Sequence, residues 1–264
     1  MNGATTSGLA RTGTVLSLAV LVVFLAAWQW GPGLLGIPPF IIPPLSMVYH
    51  EFLRMLAVSA LMTHTGITAA EVIAGFVLGS LLGAFFGYIL GMSPTAEFAL
   101  SPYILALQIA PKVAFAPLFI LWMGFTVYPK ILVAILIVFF PVMVNVLSAI
   151  RTVDPDLINL ARAFKATRAQ IFWKIEFPAS LPPLFAGLRI ASTLAVVGVV
   201  VGELVGGNMG LGYLLAFGEG QANTAMVFVA ILMLTVVGGI AYLAVILIEQ
   251  RVLHYLPRRA FSAT

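Results

Sequence analysis

The chain has 264 residues, 62% of them hydrophobic and 8% charged, a formal net charge of +4 and no cysteine. Soluble domains carry roughly 25% charged residues, so this composition excludes an ordinary soluble enzyme or nucleic-acid-binding domain and points to an all-α polytopic membrane protein. The missing thiols exclude disulfides and thiolate metal sites.

A membrane helix needs about 20 mostly apolar residues, so about six spans fill one transmembrane domain, 1–264. The first expected span is Thr12 to Trp30, uncharged and ending in Trp28 and Trp30, residues suited to a membrane–water interface. No small-x-small cleavage site precedes Trp28, so the segment reads as a retained helix rather than a signal peptide. Gly31 to Pro44 reads as an extended Pro/Gly loop. Ser46 to Thr65 reads as an interfacial amphipathic helix holding His50, Glu51, Arg54 and His64.

Ile67 to Gly91 is the second span. Its glycines Gly75, Gly79, Gly83, Gly87 and Gly91 keep an unbroken spacing of four and line one helix face. Small residues at this spacing admit a close helix neighbour in lipid, either within the chain or across a dimer or gate contact. Leu100 to Phe125 is the third span, interrupted by Pro102, Pro111 and Pro117. Ile131 to Ile150, Ala186 to Val205 and Ala225 to Ile248 are the remaining three. Gly206 to Asn223 reads as a Gly-rich loop, and Arg251, Arg258 and Arg259 form a basic tail.

One long polar interruption, 151–185, separates the fourth and fifth spans. Its residues up to Leu184 hold five of the 13 Lys/Arg and three of the 9 Asp/Glu. Asp154-Pro155 is a helix start, with aspartate as N-cap and proline at the first helical position. The first short helix runs to Phe164 with Leu157, Leu160, Ala161 and Phe164 on one face. Thr167 caps a second, with Ile171, Phe172 and Ile175 in one stripe. Pro178, Pro182 and Pro183 then turn the chain back towards the membrane. The pattern suits docking to a soluble partner and equally suits a loop lying on lipid headgroups.

The positive-inside rule orients the chain. With both termini cytoplasmic, Arg11, the five basic residues of the loop and the three of the tail lie inside, nine against Arg54 and Lys130 outside. Arg189 snorkels at the cytoplasmic mouth of span five.

Lys112 lies at membrane depth, four residues after Gln108 and beside Pro111. An intramembrane cation is a functional candidate, here either lining a pathway and attracting an anion, or paired structurally with an acid or reaching a cytoplasmic vestibule. Glu203, near the outer end of span five, either gates the outer vestibule or is satisfied by backbone donors of the following loop. Glu71 reads as interfacial, and Glu249 with Arg251 as a headgroup-level helix end. His50, His64 and His254 are scattered, so no metal cluster is expected, and no catalytic constellation or cofactor motif is present.

The polar loop resembles the coupling signature of ABC-importer permeases, an E-A-A, a glycine four positions on, and I-x-L-P after nine more. The register here is Asn159-Leu160-Ala161, Lys165, then Ile175-Glu176-Phe177-Pro178. Asn159 stands for the acid, Leu160 for an alanine, Lys165 for the glycine of the turn and Phe177 for the leucine. Ala110-Pro111-Lys112-Val113-Ala114-Phe115-Ala116-Pro117-Leu118-Phe119 with Leu121-Trp122-Met123-Gly124 is similar to the third-span signature of the nitrate/sulfonate/taurine-like permeases. Arg151-Thr152-Val153-Asp154-Pro155, Phe185-Ala186-Gly187-Leu188-Arg189, Val201-Gly202-Glu203 and Gly210-Leu211-Gly212-Tyr213 match the same group, whose motifs pyrimidine-type vitamin-precursor permeases share.

The resemblance implies the membrane subunit of an ATP-driven importer in a bacterial inner membrane. It implies a homodimer of permeases and two cytoplasmic ATPase subunits that receive the loop through Asp154, Asn159, Leu160, Ala161, Lys165, Ile175 and Pro178. It also implies a periplasmic or lipid-anchored binding protein that delivers a small anionic or heterocyclic solute. The chain has no G-x-x-x-x-G-K-[ST] phosphate loop, so ATP hydrolysis is expected on a separate subunit. An ion-coupled secondary carrier is the alternative. It calls for more intramembrane acids and an internal repeat of broken helices.

Overall fold

The computed structural model describes residues 3–254, with side chains from Gly13 onward. The expected tail residues Arg258 and Arg259 and the Arg11 side chain lie outside the described residues. The chain folds into helices α1 (Gly3–Leu34), α2 (Leu45–Ala57), α3 (Ala60–Met92), α4 (Pro94–Ile109), α5 (Ala116–Met123) and α6 (Tyr128–Arg151). They are followed by α7 (Pro155–Ala163), α8 (Arg168–Ile171), α9 (Phe177–Gly206), α10 (Leu211–Gly220) and α11 (Thr224–Val252), with no strand among the described residues.

Five segments are long and apolar enough to cross a membrane: Gly13–Leu34, Ala60–Met92, Tyr128–Arg151, Arg168–Gly206 and Thr224–Val252. The expected third span is a broken pair, Pro94–Ile109 and Lys112–Met123, bent by 80°. Its three prolines divide the work. Pro102 lies inside α4, Pro111 stands at the break where it cannot donate to the preceding turn, and Pro117 occupies the first turn of α5, where no donor is needed.

Several boundaries depart from the sequence expectation. Helix α1 runs on through Gly31, Pro32 and Gly33 to Leu34. The expected interfacial helix is two helices parted at Val58–Ser59, where Ser59 takes φ +55°. The Gly-rich 206–223 segment is not all loop, because α10 forms within it. Pro178, Pro182 and Pro183 do not turn the chain but sit within α9. A wide turn at Phe172–Glu176, where the Phe177 amide donates to the Phe172 carbonyl, joins α8 to α9 without a break. Pro178 lacks the amide that would close a regular turn on Lys174, and its ring crowds that carbonyl. The widening accommodates both.

Contacts divide the chain into two units, Met1–Met62 with Leu214–Leu232, and Thr63–Tyr213 with Met233–Thr264. In the first, the Trp28 indole N–H donates to the Pro43 carbonyl at 3.0 Å and its ring meets Phe228 at 5.4 Å. Asn223 Nδ2 donates to Glu51 Oε1 at 3.1 Å.

The second unit is built on α3, α6 and α9. A methyl at Gly75 would fall 2.5 Å from Ala134 Cβ, at Gly79 2.8 Å from Val138, at Gly83 2.6 Å from the Phe139 carbonyl, at Gly87 2.7 Å from the Met143 carbonyl and at Gly91 2.9 Å from Ile150. The glycine stripe of α3 therefore lies directly on α6 of the same chain, as close helix packing in lipid requires. From the other side, Gly198 and Gly202 of α9 bring that helix onto Ala134 and Lys130. Ala134, Val138, Val142 and Val146 are sealed between these neighbours, at 0% exposure. Leu81, Phe85, Leu243 and Leu247 are exposed, the outward apolar face that lipid accepts.

Candidate functional site

The 151–185 loop is built by local caps. The Asp154 carboxylate accepts from the Asp156 amide at 2.9 Å, with Pro155 at the start of α7. Thr167 and Gln170 exchange hydrogen bonds in a capping box that starts α8, satisfying amides the helix leaves unpaired. Between the helices, Lys165 donates its amide to Arg162 and Ala166 donates to Ala161, at 2.8 and 3.0 Å. This 5→2 and 6→1 pair places Lys165 at the left-handed position of a Schellman end, with φ +56°. The lysine at the family's glycine position thus takes the glycine's conformation.

Leu157, Leu160 and Phe164 form an exposed apolar face on α7, with Phe164 80% exposed. Ala161 is half-buried, and Asn159 lines a groove of 440 Å³ together with Arg151, Arg162 and Glu176. Ile175 and Pro178 are half-buried at the wide turn and the start of α9. The loop is tied to the core by Tyr88 of α3. Its hydroxyl shares a hydrogen bond with Ser180 at 2.7 Å, and its ring packs on Phe172 and Phe177. Arg151 also pairs with Glu97 of α4.

At the break in the third span, Lys112 does not meet the Gln108 side chain. Its ammonium donates to the Gln108 backbone carbonyl at 2.5 Å and lies 4.9 Å from the Phe140 ring centroid. It therefore sits at the C-terminal end of α4, where a cation complements the helix dipole. The Gln108 side chain is exposed and that of Lys112 partly so.

The opposite end of α6, about 35 Å from the loop at 1.5 Å per residue, carries a buried polar cluster. Lys130 and Glu71 pair at 2.8 Å, each 4% exposed, and Lys130 also reaches the Met209 carbonyl at 3.5 Å. Glu203, 1% exposed, accepts from the Thr68 hydroxyl at 2.7 Å and from the Gly212 amide at 2.6 Å. Thr68 in turn accepts from the Leu211 amide at 2.8 Å, and His64 Nδ1 accepts from the Gly210 amide at 2.9 Å. Gly210 takes φ +109°, and a methyl there would lie 1.9 Å from Glu203 Oε1, so only glycine admits the carboxylate.

Glu71 and Lys130, expected near the interface and outside, are buried against each other. Arg189 and Glu249 likewise form a pair at 3.0 Å, where Glu249 was expected beside Arg251. His64, Thr68 and Glu71 were legible only as a stripe at i, i+4 and i+7 on one helix face. Their partners lie at sequence distances no local pattern reveals. No group of three metal-ligating side chains occurs among the described residues.

Comparison with known proteins agrees with this architecture. A riboflavin transport system permease protein from Chloroflexus aurantiacus is 37% identical over 90% of this chain and 88% of its own length. A formylaminopyrimidine transport permease protein from Halalkalibacterium halodurans is 31% identical over 90% of this chain and 92% of its own. A chain of the MetNI methionine ABC transporter shares the fold at a TM-score of 0.63 and 20% identity, covering 74% of this chain and 97% of that one. The family model for the inner membrane component of binding-protein-dependent transport systems matches residues 79–254, and the chain is a member of that family of ABC-transporter permeases.

Proposed function

We propose that this chain is the permease subunit of an ATP-driven importer for a small heterocyclic or anionic solute, working as a homodimer with two ATPase subunits and an extracytoplasmic binding protein. The observation that carries this is the exposed apolar face of α7, Leu157, Leu160 and Phe164, beside the exposed polar side chains of Asp156, Asn159 and Arg162. Such a face is stabilised only when something covers it, and its place within the loop that resembles the coupling signature supports a protein as the cover rather than lipid headgroups. The loop is basic and lies at one end of α6, so the positive-inside rule puts it, with both termini, on the cytoplasmic side. The cluster of Glu203 and Lys130 then faces outward. Family relatives named for riboflavin and formylaminopyrimidine transport favour a heterocyclic solute. Lys112 and Gln108 at the broken span favour a pathway with one fixed cation, which attracts an anion strongly where water is scarce.

The test replaces Ala161 with glutamate in the reconstituted complex. ATP hydrolysis is expected to persist while uptake of riboflavin, a formylaminopyrimidine or an alkanesulfonate, whichever the wild type takes up, falls at least tenfold. Full uptake by Ala161→Glu refutes the docking role. Uptake by the permease alone, driven by an ion gradient without ATP, supports the secondary-carrier alternative.

A further inference from the structure

The turn that joins α9 to α10 and the first residues of α10, together 207–212, are fastened to the core by side chains. Three consecutive amides, Gly210, Leu211 and Gly212, donate to His64, Thr68 and Glu203 respectively. The Met209 carbonyl faces the Lys130 ammonium. A helix start normally finds its caps within its own sequence. Here α10 is capped by side chains of α3 and α9, which share the close-packed core with α6. The Thr68 hydroxyl is the joint of the set, accepting from Leu211 and donating to Glu203.

The cluster is also charged out of proportion to a static fastening. Two acids and one lysine are buried together, with the Glu71 and Glu203 carboxyls beside each other. Burying two carboxyls beside one lysine is costly, and it puts more charge at the turn than capping three amides requires. Such a set suits an arrangement that is exchanged for another, because each bond broken leaves a polar group ready for a new partner. Alternating access needs elements with two discrete packings.

We propose that His64, Thr68 and Glu203 are positioning residues for transport: they hold the 207–212 turn against the outer end of the α3–α6–α9 core, and the turn leaves them when the outer mouth opens. The proposal rests on the importer topology given above. Asn208 lies exposed on the turn, and the chain contains no cysteine, so Asn208→Cys places one probe on each permease chain.

The experiment uses the complete permease–ATPase complex in lipid nanodiscs, with a spin label on Asn208→Cys. The label is expected to be immobilised without nucleotide and to gain a mobile component when ATP and vanadate trap the complex. Thr68→Val is expected to show at least a threefold larger mobile fraction without nucleotide, and Thr68→Ser to return to the wild-type spectrum. An immobile label in both nucleotide states, or a Thr68→Val spectrum equal to wild type, overturns the proposal and leaves the cap a static fastening. Should Thr68→Val fail to assemble, His64→Ala removes the Gly210 bond together with the ring packing on Tyr213 and is expected to give an increase; no increase overturns the proposal. A membrane-impermeant maleimide applied to intact cells checks the topology separately. Labelling of Asn208→Cys from outside supports the outer-mouth assignment, and labelling only after permeabilisation overturns it while leaving the cap geometry intact.

Discussion

Replacing Gly83 with alanine puts a methyl carbon 2.6 Å from the Phe139 carbonyl oxygen, 3.0 Å from Val142 Cβ and 3.2 Å from the Met143 nitrogen. Carbon and carbonyl oxygen in contact stand about 3.3 Å apart or more, so α3 and α6 must part locally by roughly 0.7 Å. The obstacle is backbone on both sides and cannot rotate away. A gap of that size forfeits about a quarter to a half of each dispersion contact it opens, and overpacked cores lose roughly 1–3 kcal/mol. Alanine returns about 1 kcal/mol of helix propensity, which obscures the loss in a single variant. Gly66, on the same helix with nothing within 4 Å of its Cβ position, supplies the control. Gly66→Ala receives the propensity gain alone, so the difference between the variants isolates packing at about 1–3 kcal/mol. At about 2–4 °C per kcal/mol for a chain near this size, Gly83→Ala should unfold several degrees below Gly66→Ala. The assay is thermal unfolding of each purified variant in nanodiscs, with the copy number per disc measured alongside. Equal Tm values for the two variants refute the packing account. An unchanged Tm with an altered copy number shows instead that the glycine face meets a second copy.

Lys130→Met strands the buried Glu71 carboxylate and should cost roughly 3–5 kcal/mol, most of it recovered in the Lys130→Met/Glu71→Gln double variant; equal destabilisation of single and double variants in thermal unfolding refutes the pairing. Lys165→Gly keeps the left-handed turn, and the relief of about 1 kcal/mol of strain is largely offset by the greater freedom of glycine in the unfolded chain. Assembly and uptake should match wild type, and loss of the ATPase in a pull-down shows that the lysine side chain itself makes the contact. Lys112→Met removes the cation at the broken span, so uptake of an anionic solute such as an alkanesulfonate should slow at least severalfold. Uptake by Lys112→Met at the wild-type rate, with normal assembly, reduces Lys112 to a cap of α4.

The 151–185 loop was the most legible part of the chain, because its determinants are local. Asp154 with Pro155, and Thr167 with Gln170, start helices through bonds spanning two or three residues. Such signals survive without knowledge of the rest of the fold. The membrane helices were legible for a related reason. Lipid offers no hydrogen bonds, so an apolar run of sufficient length has no alternative to a helix. The proline-rich exit of the loop was misread because proline forbids one hydrogen bond but does not forbid a helix that widens by a residue, as Phe172–Glu176 does.

The amino-acid sequence by itself therefore determined the class of the molecule, the place of its spans, the first short loop helix and the start of the second, and the existence of a closely packed glycine face. Each of these depends on composition or on spacing along one helix. Only the tertiary structure decided which helix the glycines meet, that Glu71 pairs with Lys130 and Arg189 with Glu249, and that Gly210-Leu211-Gly212 is the seat of the Glu203 carboxylate. The physical reason is range. A cap or a hydrophobic period is set within a few residues, whereas a buried charge in a membrane helix must be matched by whichever group the packing brings to it, here 59, 60 and 135 residues away for Lys130, Arg189 and Thr68 with their acids.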